Sequence, residues 1–133
     1  MTPYTAPVEL RFSDVDGMGH VNNAVFLTFL EHARMRFFTE EAGARSEKDF
    51  PFILAHAAVD YKAPMRMDAE PEVRMWTSRV GGKSWDFDYE IRDRRTKVVY
   101  ATAKTVQVAY DYYLQKSDQL DGRLKDLVKA LMP

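Results

Sequence analysis

Apolar and polar residues alternate from Val8 to Phe12, with Val8, Leu10 and Phe12 on one side and Glu9 and Arg11 on the other. This period of two predicts a short half-buried strand entering a polar, glycine-containing loop from Ser13 to Asn23. From about Ala24 to Ala42 the period changes. Phe26, Leu30, Ala33 and Phe37 recur at helical spacing, and Leu27, Phe29, Met35 and Phe38 widen the apolar surface beyond one stripe, so a largely buried helix is predicted. Gly43 is placed to cap its end, and Asn22 or Asn23 to cap its start by accepting from a free helical amide.

Beyond Pro51 come four extended stretches, Ile53 to Lys62, Glu72 to Val80, Ser84 to Arg92 and Lys97 to Tyr110. Gly81-Gly82 and Asp93 to Thr96 are the turns, which together suggest an antiparallel meander. The third stretch alternates most cleanly: Trp85, Phe87, Tyr89 and Ile91 form a buried face against Asp86, Asp88, Glu90 and Arg92. Leu120, Leu124, Leu127, Val128 and Leu131 predict a short amphipathic closing helix. Strand, long helix, four strands and short helix, with no repeat or linker, make one α+β domain spanning residues 1–133. A helix this apolar is best buried if an antiparallel sheet curls around it. The sheet's remaining edge then favours a second copy, so a dimer is expected.

Composition narrows the chemistry. In 133 residues, 46% are hydrophobic, and eight Phe, seven Tyr and two Trp supply a core for a single globular domain. Nineteen basic against twenty acidic residues leave a formal charge of -1, which gives no global attraction for nucleic acid or an anionic membrane. Without cysteine there is no disulfide, thiolate metal site or cysteine nucleophile, which suits a reducing compartment. Met1 to Phe12 lacks the pattern of a cleaved leader and no stretch has the length of a membrane span, so a soluble cytoplasmic protein is expected.

The polar loop carries the candidate chemistry. Asp14, Asp16, His20 and two glycines stand just ahead of the long helix, where unpaired backbone amides and the macrodipole favour negative charge. Taken alone, both aspartates could be turn-formers and both asparagines helix caps. His32 in the helix and His56 in a strand read as core or interface residues, Trp76 and Trp85 as core, and Glu31 with Arg34 as a surface ion pair at helical spacing. No histidine or carboxylate spacing marks a metal site.

The segment Asp14-Val15-Asp16-Gly17-Met18-Gly19-His20-Val21-Asn22-Asn23, with Phe26 and Glu31-His32-Ala33-Arg34 after it, resembles the motif of hotdog-fold thioesterases of the 4-hydroxybenzoyl-CoA thioesterase type. Val59-Asp60-Tyr61-Lys62-Ala63-Pro64 and Gly82-Lys83-Ser84 extend the similarity. The resemblance implies a hotdog domain, a curled antiparallel sheet around one long helix, that hydrolyses an acyl or aroyl thioester. It implies Asp16 as the catalytic carboxylate, either nucleophile or general base, and the Asn23 amide as oxyanion donor, with His20 ranked behind them. Lys62, Arg66, Lys83 and Ser84 become candidate substrate-binding residues for the phosphates of coenzyme A. The implied partners are a small-molecule acyl-CoA substrate and further copies of the chain, a homodimer or homotetramer with sites at the subunit interface, with no nucleic acid, no membrane and no dissociable cofactor. Plant acyl carrier protein thioesterases are also similar here but carry Asn where this chain has Met18, which makes that carrier the alternative substrate. A non-catalytic hotdog module that binds acyl thioesters is a second alternative, and a cone-shaped isomerase or dehydratase domain a third.

Overall fold

The computed structural model describes residues 3–133. Met1 and Thr2, part of the segment considered for a leader, lie outside the described residues. The chain forms β1 (Tyr4–Pro7), α1 (Val25–Ala42), β2 (Phe52–Tyr61), β3 (Pro71–Val80), β4 (Ser84–Asp93), β5 (Val99–Asp111), β6 (Lys116–Ser117) and α2 (Gly122–Lys129). The strands make one antiparallel sheet in the order β1-β3-β4-β5-β2, with β6 added to β5. This is the curled sheet with helices that the single hotdog domain requires.

The first strand lies four residues earlier than its alternation suggested. Tyr4 pairs with Met75 and Pro7 with Glu72, while Phe12 sits in a 3-10 turn with 90% of its surface exposed. Asp14 is the cause: its carboxylate takes the Arg11 amide at 2.9 Å and bends residues 12–14 out of extended geometry. Val8 and Leu10 still pack against the core.

The meander is real only for β3, β4 and β5. One edge of β3 holds β4 and the other holds β1, so β2 has no place beside β3 and pairs with β5 instead. Residues 62–70 carry the chain across the end of the sheet, and Val21 donates to Met65 O at 2.7 Å, so this crossing is fastened to the polar loop.

The core lies between α1 and the inner face of the sheet. Trp85, Phe87, Tyr89 and Ile91 of β4 are buried there; Trp85 meets Phe38, and Phe37 and Phe87 lie edge-on at 6.1 Å. Each such fully buried side chain stabilises the fold by about 1.5–3 kcal/mol. Within one chain α1 is less buried than its composition suggested, since Leu27, Glu31 and His32 remain exposed. Its end is the αL glycine expected, Gly43 at φ 70. At its start the N-cap is Ala24, with no side-chain cap, and neither Asn22 nor Asn23 caps the helix as expected; Asn22 instead closes the turn just before it, accepting from the Ala24 amide at 2.9 Å.

Ion pairs lace the outer face of the sheet, among them Arg92 with Glu72, Arg74 with Glu90 and Lys104 with Asp88. Trp76, expected in the core, lies half-buried on this face opposite Asp88. β2 differs from every other long strand: residues 53–58 are exposed, and only β5 pairs with it.

Candidate active site

The loop before α1 is folded by its own backbone. Val15 and Val21 form a bridge, the Asp16 amide donates to His20 O at 2.7 Å, and Gly19 takes φ 77, a conformation that favours glycine. A second bridge joins His20 to Arg66. These bonds fix Asp16 at the tip, where Oδ1 accepts from the amides of Met18 at 2.8 Å and His20 at 3.2 Å. Oδ2 has no hydrogen-bond partner among the described residues. The carboxylate is therefore oriented by one oxygen and free at the other.

Asn23 opens the helix a short distance away. Its amide has no acceptor among the described residues, as the first amides of a helix do not, while its carbonyl accepts from the Tyr61 hydroxyl at 2.7 Å. Asp16, His20 and Asn23 line one cleft of about 390 Å³ together with Met18, Tyr61 and Lys62. A residue with a free carboxylate oxygen and a residue with a free amide just before a helix thus line the same space, a combination that suits attack on a carbonyl whose oxygen gains charge. Asp16 is exposed in the single chain, so the desolvation that would sharpen its reactivity must come from whatever covers the cleft.

Asp14 plays a different part. It is 2% exposed, with Oδ2 on the Arg11 amide and Oδ1 on the Arg11 guanidinium at 3.0 Å. Burial pushes its carboxyl up, but the Arg11 amide and guanidinium outweigh it and hold the carboxyl below its usual range.

The substrate-binding candidates are divided in space. Lys62 lines the Asp16 cleft, and the Arg66 guanidinium flanks the loop beside Gly19. Lys83 in the β3–β4 turn and Ser84 at the start of β4 lie at the other end of the sheet. Ser84 pairs with Val108 whereas Tyr61 pairs with Ala101, so positions 101 to 108 separate them, roughly 23 Å at about 3.3 Å per residue. One chain does not bring Lys83 and Ser84 to the cleft. His32 and His56 are exposed, not core.

Two residues were misjudged by the sequence reading, Tyr61 in the Asp16 cleft and Arg34 outside it. Tyr61 was passed over, although its place in the Val59–Pro64 stretch marked it; its hydroxyl supports the helix start and its ring meets Phe26 at 5.1 Å. Arg34 does not form the expected surface pair with Glu31: it is 4% exposed and donates to the buried Tyr89 hydroxyl at 3.2 Å, while Glu31 stays in solvent. The helical period held the signal, because residue 34 is four after Leu30 and three before Phe37 on the buried face.

The family model of the thioesterase-like superfamily matches residues 10–129, nearly the whole chain including the loop and both helices. The chain belongs to the thioesterase-like superfamily. That membership places it among the thioester hydrolases. The long-chain acyl-CoA thioesterase FadM of Escherichia coli is 24% identical over 127 residues, 94% of this chain and 96% of FadM. The uncharacterized protein YsmA of Bacillus subtilis is 28% identical over 82 residues, 62% of this chain and 56% of YsmA. Among solved structures, a thioesterase of Thermus thermophilus complexed with coenzyme A and zinc is 28% identical, covers 98% of this chain and 95% of that one, and superposes with a TM-score of 0.84. A 1,4-dihydroxy-2-naphthoyl-CoA thioesterase from Synechocystis shares the fold at TM-score 0.83 and 22% identity, with 96% of both chains covered.

Proposed function

We propose that this chain is a cytoplasmic acyl-CoA thioesterase of the 4-hydroxybenzoyl-CoA thioesterase type that works as a dimer. One observation carries the reaction: Asp16, whose Oδ2 is free, and Asn23, whose amide is free, line the same cleft. Support for coenzyme A as the carrier comes from FadM and from the Thermus protein solved with that ligand. Met18, in place of an asparagine able to hydrogen-bond, disfavours the carrier-protein alternative.

The thioester carbonyl enters between Asp16 and Asn23. Either Asp16 attacks the carbonyl carbon directly, or it takes a proton from a water that does so. In both routes the carbonyl oxygen becomes an oxyanion facing the Asn23 amide, a donor of a kind worth about 2.7–4 kcal/mol of barrier. Collapse expels the thiolate of coenzyme A, which leaves protonated as the thiol; on the direct route the acyl group stays on Asp16 as a mixed anhydride until water cleaves it, and on either route one water supplies the oxygen and hydrogen that the free acid and thiol gain. Lys62 in the cleft and Arg66 beside the loop are candidates for coenzyme A phosphates, and His20 for an orienting group. No dissociable cofactor enters the balance.

The second copy docks on β2. This strand offers unpaired backbone groups along its outer edge, and from Ile53 to Val59 it holds no Asp, Glu, Lys or Arg that would discourage pairing. Antiparallel pairing of β2 with its copy lays the Phe52 end of one strand beside the Tyr61 end of the other. Lys83 and Ser84 of one chain then approach the Asp16 cleft of the other, which reconciles their distance within one chain with a substrate-binding role.

The test is thiol release from short, medium, long and aromatic acyl-CoA thioesters, with Asp16→Asn as control. Cleavage by the wild type that collapses in the variant is the expected result. Tight binding without thiol release would instead select the non-catalytic module.

A further inference from the structure

A buried positive charge without a counter-charge lies away from the reaction centre. Arg34 is 4% exposed, and no other Lys or Arg among the described residues is buried. Its Nη1 donates to the Tyr89 hydroxyl at 3.2 Å, that hydroxyl bonds Thr105, Thr105 bonds Gln107, and Gln107 ends on the Trp85 carbonyl at 3.1 Å. Tyr89, Thr105, Gln107 and the Trp85 carbonyl along this chain of bonds are all neutral. Nε of Arg34 has no hydrogen-bond partner, and none of the ion pairs among the described residues includes it. A guanidinium desolvated to this degree persists at a cost unless an oxygen acceptor completes it.

Arg34 also borders a cleft of about 350 Å³ whose other walls are largely apolar, from Met35, Phe50, Phe52 and Leu54. Glu31 and Glu47 stand exposed at its rim. Leu54 and Phe52 pair with inward-facing Gln107 and Ala109, so the cleft is on the helix side of the sheet at the Phe52 end of β2. On the dimer proposed above, that end lies towards the Tyr61 end of the partner strand, so the pairing would bring the thioester cleft of one chain towards the Arg34 cleft of the other.

We infer that the Arg34 cleft receives the far end of the partner chain's acyl substrate and selects an acyl group bearing a neutral oxygen there, a hydroxyl or carbonyl. The apolar walls take the carbon chain, and the guanidinium donates to the oxygen. The rim carboxylates of Glu31 and Glu47 repel a substrate that ends in a free carboxylate. The inference rests on the acyl-CoA reading for its substrate and on β2 pairing for its geometry.

The experiment compares kcat/KM over a chain-length series of ω-hydroxyacyl-CoA thioesters, their counterparts with methyl in place of hydroxyl, and their ω-carboxyl counterparts. Wild type and Arg34→Met are run side by side. Wild type should prefer the hydroxyl over the methyl series by about 10- to 100-fold, the scale of a hydrogen bond to a charged group, with the carboxyl series poorer than the hydroxyl. Arg34→Met should lose that preference while still cleaving the methyl series. Equal rates in wild type, a preferred carboxyl series, or an equal fall of all series in the variant would overturn the inference and leave the thioesterase assignment standing. The wild-type preference decides the matter even if the variant does not fold. If wild type cleaves nothing, the thioesterase assignment fails. Calorimetric binding of S-alkyl coenzyme A thioethers with and without the terminal hydroxyl then decides for Arg34 by the same preference, and equal binding overturns it.

Discussion

Two aspartates two residues apart should respond to the same substitution in opposite ways. In Asp16→Asn the side-chain oxygen can still accept from the Met18 and His20 amides, so the loop keeps its fold. The group facing the cleft, however, can neither attack a carbonyl nor take a proton. Loss of a positioned base or nucleophile of this kind lowers kcat/KM by about 10²- to 10⁴-fold. Because Asp16 is exposed, stability should change by less than about 0.5 kcal/mol. In Asp14→Asn the geometry reverses the outcome. Asp14 is 2% exposed and both oxygens accept, from the Arg11 amide and from the Arg11 guanidinium, so an amide NH2 must meet a donor. The expected cost is about 1–3 kcal/mol of stability, weighted towards the low end because Arg11 is itself largely exposed, with kcat for the folded fraction nearly unchanged. Urea denaturation and thiol-release kinetics on both variants give the four numbers. An Asp16→Asn enzyme within tenfold of wild type, or an Asp14→Asn enzyme that is fully stable yet inactive, would refute the division of roles.

Ala57→Glu places a carboxylate on the inner face of β2, the strand proposed to pair with a second copy. Sedimentation should show a wild-type dimer and a variant monomer with thiol release lost, whereas an active wild-type monomer would sink the composite site. Asp93 accepts from the amides of Thr96, Glu70 and Arg95 and from the Tyr100 hydroxyl, which hold its carboxyl well below the usual range. A carboxyl depressed in the folded state stabilises the fold above its unfolded value, near 4, and that stabilisation is lost as pH falls. Thermal midpoints of the wild type should therefore drop below about pH 4 more steeply than those of Asp93→Asn, and parallel slopes would contradict this. Trp85 is fully buried against Phe38, Phe52 and Phe87, but its Nε1 has no hydrogen-bond partner. Trp85→Ala should cost about 3–5 kcal/mol in urea denaturation and Trp85→Phe much less, since phenylalanine keeps a ring and sheds an unsatisfied donor. Equal losses would show that the ring contacts do not carry the stability.

Local patterning alone determined most elements of this protein. The alternation of Trp85, Phe87, Tyr89 and Ile91 placed β4 to within a residue, and the helical recurrence of Phe26, Leu30, Ala33 and Phe37 with Gly43 behind it bounded α1 as closely. Period and capping act between near neighbours, so they survive without the rest of the fold. The resemblance of the loop to the thioesterase motif marked Asp16 and Asn23 as candidates, and that motif is a contiguous stretch of sequence. The tertiary structure alone decided which strand edges were free. With β1 on one side of β3 and β4 on the other, β2 was sent to β5 and left as the exposed edge. It also decided that Asp14 is sealed on Arg11 while Asp16 stays open, and that Arg34 is interior. Lys83 and Ser84 were likewise set at the far end of the sheet from the cleft. These outcomes depend on contacts between residues far apart in sequence and on competition for the same edges and interior space, and no local period encodes them.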